Sequence, residues 1–185
     1  MKKGHIVWNI RGKRGWRECF EFFLNKANGF SIIFQGDPND LSDDGSLLNI
    51  GKKDFLSLPD IETEKYRGMM NSFLVNGPLT NDAKALFYKY VSPSFAGDYL
   101  DLWSFEFLLD KDVLLRTDDN VHCSFNLTDD ELKFILDMGI KIDDSYSDSL
   151  ASFKDLKEDI ADSFSKEELN LMMEIMKDRF LKKQE

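Results

Sequence analysis

The stretch from Tyr99 to Phe125 constrains the fold most. Leu100 and Leu102 are followed by Trp103, Phe105 and Phe107 alternating with Ser104 and Glu106, the two-residue period of a half-buried strand. Asp110-Lys111-Asp112 turns this run into Val113–Thr117, and Asp118-Asp119-Asn120 turns that into Val121–Phe125. Three short strands joined by such turns predict an antiparallel meander. Directly after it, Thr128-Asp129-Asp130-Glu131 spells a capping box, in which a threonine and the glutamate three residues on satisfy each other's free backbone donors. Leu132, Ile135 and Leu136 are the apolar stripe of the helix it opens, and Gly139 closes that helix.

The same rules divide the rest of the chain. His5–Ile10 reads as a strand, Trp16–Asn28 as a helix with Phe20, Phe23, Leu24 and Ala27 inward, and Phe30–Gln35 as a second strand. These could form one parallel crossover unit or sit at separate positions in the sheet. Residues 36–60, rich in Gly, Pro, Asp, Asn and Ser, read as a long loop. Asp60–Val75 is expected to be a helix with Tyr66, Met69, Met70, Phe73 and Leu74 on its apolar side, and Asn81–Val91 a second helix ending before Ser92-Pro93. Ser165-Lys166-Glu167-Glu168 is another capping box, opening a last helix to about Leu181. The fold class is therefore α+β: a mostly antiparallel mixed sheet with helices packed on it and a helical C-terminus. It forms one domain over residues 1–185, with 149–185 open to reading as a helical subregion.

A chain of 185 residues buries about two-thirds of its unfolded surface and needs no disulfide or metal to hold it. Cys19 and Cys123 are the only cysteines, and residues 1–15 have no apolar core that would make a secretory signal. No apolar run approaches the length of a membrane span. A cytoplasmic protein without membrane contact is expected.

Motifs that carry chemistry are sparse. His5, Cys19, His122 and Cys123 match no metal-binding spacing, and His122 and Cys123, adjacent in a strand, face opposite ways. The acidic loop from Asp37 has Leu41, Ser42 and Leu48 where a calcium loop needs an oxygen ligand, glycine and glutamate. No nucleophile elbow, dinucleotide fingerprint or phosphate loop is present, so no cofactor is expected. A pocket near Cys19, His5 and Trp8 is the alternative that would make the chain a small enzyme or ligand-binding domain. The basic stretch of residues 11–17, with Trp16, could hold a phosphate, but an intramolecular role for its cations is the plainer reading.

Charge is the informative feature. The net charge of −10 divides into +6 over residues 1–17 and −16 over the remainder, and residues 98–168 alone carry 20 acids against 7 bases. Such a field disfavours nucleic acid and favours a cationic protein partner. Tyr99, Trp103 and Tyr146 lie among these carboxylates, and aromatic side chains are the usual anchors of interfaces. In this general character, and locally in FNLTDDELKFILDMGIKIDDSY (125–146), the chain resembles the bacterial immunity proteins that neutralise a cognate toxin, the contact-dependent and polymorphic-toxin class. The resemblance is one of class and transfers no residue. It implies a non-enzymatic inhibitor that covers the active site of a basic toxin, most often a nuclease. The expected contacts are Asp98, Asp101, Asp118, Asp119, Asp143 and Asp144, with Tyr99 and Trp103 as anchors.

Overall fold

A computed structural model describes residues 2–41, 46–91, 101–118, 122–146 and 150–154. Among these residues eight strands form one sheet: β1 (Lys3–Trp8), β2 (Gly29–Gln35), β3 (Glu62–Tyr66), β4 (Ser72–Pro78), β5 (Phe105–Leu109), β6 (Asp112–Asp118), β7 (His122–Leu127) and β8 (Asp144–Tyr146). Four helices join them: α1 (Trp16–Lys26), α2 (Lys52–Leu56), α3 (Asn81–Val91) and α4 (Asp129–Asp137). The strand order is β3-β4-β2-β5-β6-β7-β1-β8, and every pairing among the described strands is antiparallel. The fold is α+β, as the sequence predicts, but the sheet is not mixed. β1 and β2 are separated by the meander β5-β6-β7, so they do not form a parallel crossover.

One face of the sheet carries the helices. Cys19, Phe20, Phe23 and Leu24 of α1, Phe55 of α2, Ala83 and Phe87 of α3 and Ile135 of α4 pack on Val7, Phe30, Ile32, Val75, Phe105, Phe107, Cys123 and Phe125. Phenylalanine rings meet edge to face at the centre, with Phe87 4.9 Å from Phe107 and 5.4 Å from Phe30. Each fully buried ring contributes about 1.5–3 kcal/mol relative to exposure. A bulge fine-tunes this face: Phe107 pairs with Leu115 but Leu108 with Val113, so Leu114 is an extra residue on β6. Both Leu114 and Leu115 thereby enter the core, as two residues sharing one partner can.

The second face is different. The register lines up Glu62, Asn76, Ser31, Glu106, Arg116, Ser124, Ile6 and Asp144 in a single row across all eight strands, and only Ile6 in it is apolar. Ser31, Glu106, Arg116 and Ser124 are nevertheless buried. Part of the cover is the segment Leu150–Phe153, held by this polar surface. The Asn126 amide accepts from Leu150 N at 2.7 Å and donates to Val113 O and Leu150 O, Arg116 donates to Ala151 O, and Phe153 N donates to Glu106 Oε1 at 2.8 Å. The Phe153 ring then seats among Ile33, Tyr66 and Leu74, with the Arg116 guanidinium 4.5 Å from its centre.

Three expectations need correction. Asp60–Val75 is not a helix but the hairpin β3–β4, reversed at Asn71, whose φ is +54. Residues 36–60 are not all loop, since they include a 3-10 turn at Leu47–Asn49 and α2. Of the strand expected over Tyr99–Leu109, β5 covers Phe105–Leu109 and residues 101–104 bend into it, while residues 99 and 100 lie outside the described residues. The predicted helix from Ser165 lies outside the described residues.

Candidate protein-binding surface

β1 ends where Asn9 turns left-handed, at φ +52, and the chain winds into a 3-10 turn. Strand alternation sends Val7 into the helix-bearing core and leaves Trp8 on the opposite face, 48% exposed. The register pairs Trp8 with His122 and His122 with Asp118, so these three share one end of the sheet. The indole and imidazole rings lie 4.9 Å apart, and His122 Nε2 is 3.4 Å from an Asp118 carboxylate oxygen.

Asp143 closes the outer side of the group. Its backbone N donates to Ile6 O, and its carboxylate accepts the Trp8 backbone N–H at 2.7 Å, extending the β1–β8 pairing by one step. That hydrogen bond, aided by Lys13 at 3.5 Å and opposed by burial, holds the Asp143 carboxyl below the usual carboxylate range. Asp144 follows, exposed, accepting from Ser145 N, and Tyr146 lies two residues further along β8, 47% exposed. Strand parity puts Trp8, His122, Asp118, Asp144 and Tyr146 on one face.

Of the eight residues expected to contact a partner, Asp118, Asp143 and Asp144 are brought together here. Asp101 is not a surface residue: it is 0% exposed and ion-paired with Arg11, which also donates to Leu102 O and Thr117 Oγ1. Trp103 is half-buried, and its indole N–H donates to Ile33 O at 3.0 Å beside Phe153, which makes it a packing residue. Asp98, Tyr99 and Asp119 lie outside the described residues. The acidic excess also divides by position. Asp110 and Asp112 sit at the far end of the meander, Lys2 lies 3.5 Å from Asp112, and Glu131 is buried in its capping box with Lys26. Trp8, the most exposed ring of the cluster, was legible as a surface residue only through the in–out alternation of β1.

The residues of the alternative pocket do not converge. Cys19 is fully buried among the α1 phenylalanines, and burial pushes its thiol far above the ordinary range; Cys123 is shifted the same way. His5 is buried on the helix-bearing face and shares a 2.8 Å hydrogen bond with Ser145 Oγ, and burial, then Lys3, lowers its imidazole. Trp8 lies on the other face. The basic stretch is dispersed as well: Arg11 turns inward to Asp101, Lys13 reaches Asp143, and Arg17 pairs with Glu21. Among the described residues no three His, Cys, Asp or Glu side chains gather as they would around a metal ion, and no helix is long and apolar enough to cross a membrane. No protein-family model, curated protein or solved structure matches the chain.

Proposed function

We propose that this chain is a non-enzymatic inhibitor that binds a basic partner protein, an immunity-type protein that covers the active site of a nuclease toxin. The observation that carries the reading is the half-exposed Trp8 ring, packed beside His122 at the sheet end that also bears Asp118 and Asp144, with Asp143 bound to its backbone N–H and Tyr146 on the same face of the neighbouring strand. An aromatic anchor supplies lasting affinity, and surrounding carboxylates raise the rate of encounter with a cation-rich cleft. An exposed ring at a sheet end suits a protein surface better than a small substrate, which takes a concave pocket.

The test is co-purification with a candidate nuclease toxin domain from a neighbouring reading frame, followed by a nuclease assay of the pair. A one-to-one complex with nuclease activity abolished is the expected result. Absence of any complex at low salt would overturn the proposal.

A further inference from the structure

Leu150–Phe153 lies as a strap on the polar face of the sheet. Among the described residues, every hydrogen bond that ties Leu150, Ala151 and Phe153 to the sheet comes from a side chain, and none extends a strand ladder. The Asn126 amide accepts the Leu150 N–H at 2.7 Å and donates to its C=O at 3.3 Å. One side chain thus makes both bonds that an antiparallel neighbour would make. Arg116 donates to Ala151 O, and Glu106 accepts from Phe153 N. All of these hold backbone atoms, which almost any segment presents. The strap side chain gripped most closely is Phe153, 2% exposed, whose ring fills a pocket of Ile33, Tyr66 and Leu74 with Met69 and Trp103 beside it. It meets the Tyr66 ring edge to face at 6.0 Å.

The docked strap covers a group that it leaves unsatisfied. Glu106 is wholly buried, and its Oε1 takes Arg116 and Phe153 N while Oε2 has no hydrogen-bond partner among the described residues. A buried polar atom without a partner keeps its desolvation penalty. Lifting the strap offers water to Oε2, and water also replaces the bonds that Arg116 and Asn126 give to the strap.

We propose that this face is a recognition site for an extended segment of a partner protein carrying one aromatic residue, and that Leu150–Phe153 is the chain's own occupant, which the partner displaces. Backbone hydrogen bonds supply affinity there, and the ring pocket supplies specificity. The partner's aromatic residue falls three positions after the residue held by Asn126, as Phe153 follows Leu150. A strap tethered to its own site competes at an effective concentration on the order of 1 mM. It therefore excludes weak ligands and yields to a segment that binds more tightly. The site uses no residue of the Trp8 cluster and stands whether or not the inhibitor reading does.

Fluorescence anisotropy of a labelled peptide LASFK, the sequence of residues 150–154, with the full chain tests it. Phe153→Ala, which empties the ring pocket, should bind the peptide with a dissociation constant on the order of 100 µM, about tenfold more tightly than the wild type with its strap in place. The same peptide with alanine for phenylalanine should bind neither protein. Native-state hydrogen exchange on the wild type decides the matter if Phe153→Ala does not fold. The Leu150 and Phe153 amides should then exchange about 100-fold faster than those of β5, the mark of an opening short of unfolding. No binding by folded Phe153→Ala, equal binding of the alanine peptide, or strap amides as protected as β5 would overturn the proposal. So would a wild-type dimer in sedimentation that the peptide dissociates, because the occupant would then be the strap of a second copy.

Discussion

Arg11 and Asp101, ninety residues apart, form an ion pair from which water is excluded, with side-chain exposures of 1% and 0%. The pair ties the 3-10 turn after β1 to the segment entering β5, beneath the Phe105 ring 5.8 Å away. Removing either partner strands the other as a buried charge. Asp101→Ala or Arg11→Met should each cost about 3–5 kcal/mol of unfolding free energy, whereas the double replacement Arg11→Met/Asp101→Leu should recover much of it. Urea denaturation of the three variants checks this; additive losses in the double variant would contradict it.

Glu106 makes stability depend on pH. Burial, opposed by Arg116, pushes its carboxyl up to about 7. A folded-state value above the unfolded one means that the native state holds this proton more tightly. The stabilising contribution is therefore complete below the ordinary glutamate range and is lost as pH rises through about 7, a change on the order of 3 kcal/mol. Urea midpoints should fall across that window in the wild type and fall less steeply in Glu106→Gln. Parallel slopes would place the titrating group elsewhere.

The proposed interface separates rate from lifetime. Trp8→Ala should raise the dissociation rate of the partner complex by about 30-fold, the equivalent of roughly 2 kcal/mol. Asp118→Lys and Asp144→Lys should instead slow association and flatten its dependence on salt. Stopped-flow association at several ionic strengths distinguishes the two effects, and charge reversals without influence on the low-salt on-rate would remove this sheet end from the interface.

Neither thiol should behave as a surface cysteine. With Cys19 and Cys123 buried and both thiols shifted upward by burial, a disulfide reagent at mild alkaline pH should label neither in the native protein and both in denaturant. Rapid native labelling of either would contradict the packing of α1 on β7.

Much of the fold was legible where the signal is local. The capping box at Thr128 forms with both hydrogen bonds in place, α1 and α3 fall where periodicity puts them, and the antiparallel meander forms with its first strand shortened to Phe105–Leu109. The error at Asp60–Val75 has a physical cause. Tyr66, Met69, Met70, Phe73 and Leu74 have helical spacing, yet β4 is covered on both faces, so Phe73 and Val75 point to one core and Leu74 to the other. A strand buried on both sides loses its alternation and reads as an apolar run. Met70, assigned to a buried stripe, is 81% exposed.

The surface was harder to read because an aspartate looks the same in a core as in a patch. Asp101 is withdrawn from solvent by an arginine ninety residues upstream, and that partner is invisible to local pattern. Asp118 and Asp143 lie at one end of the sheet, where turns keep carboxylates near solvent. His122 and Trp8 joined them through a pairing of distant strands.

That pairing also sets an order of events. β1 sits between β7 and β8, so His5 finds its backbone partner at Phe125, about 120 residues later in the chain. At synthesis speeds of about 5–20 residues per second, β1 waits roughly 6–24 s for the strand it needs. Throughout that interval Val7 and the unpaired edge of a hydrophobic strand are exposed to other chains. The sheet end that carries Trp8 is therefore completed late during synthesis, and a shortened nascent chain lacking β7 would lack this surface altogether.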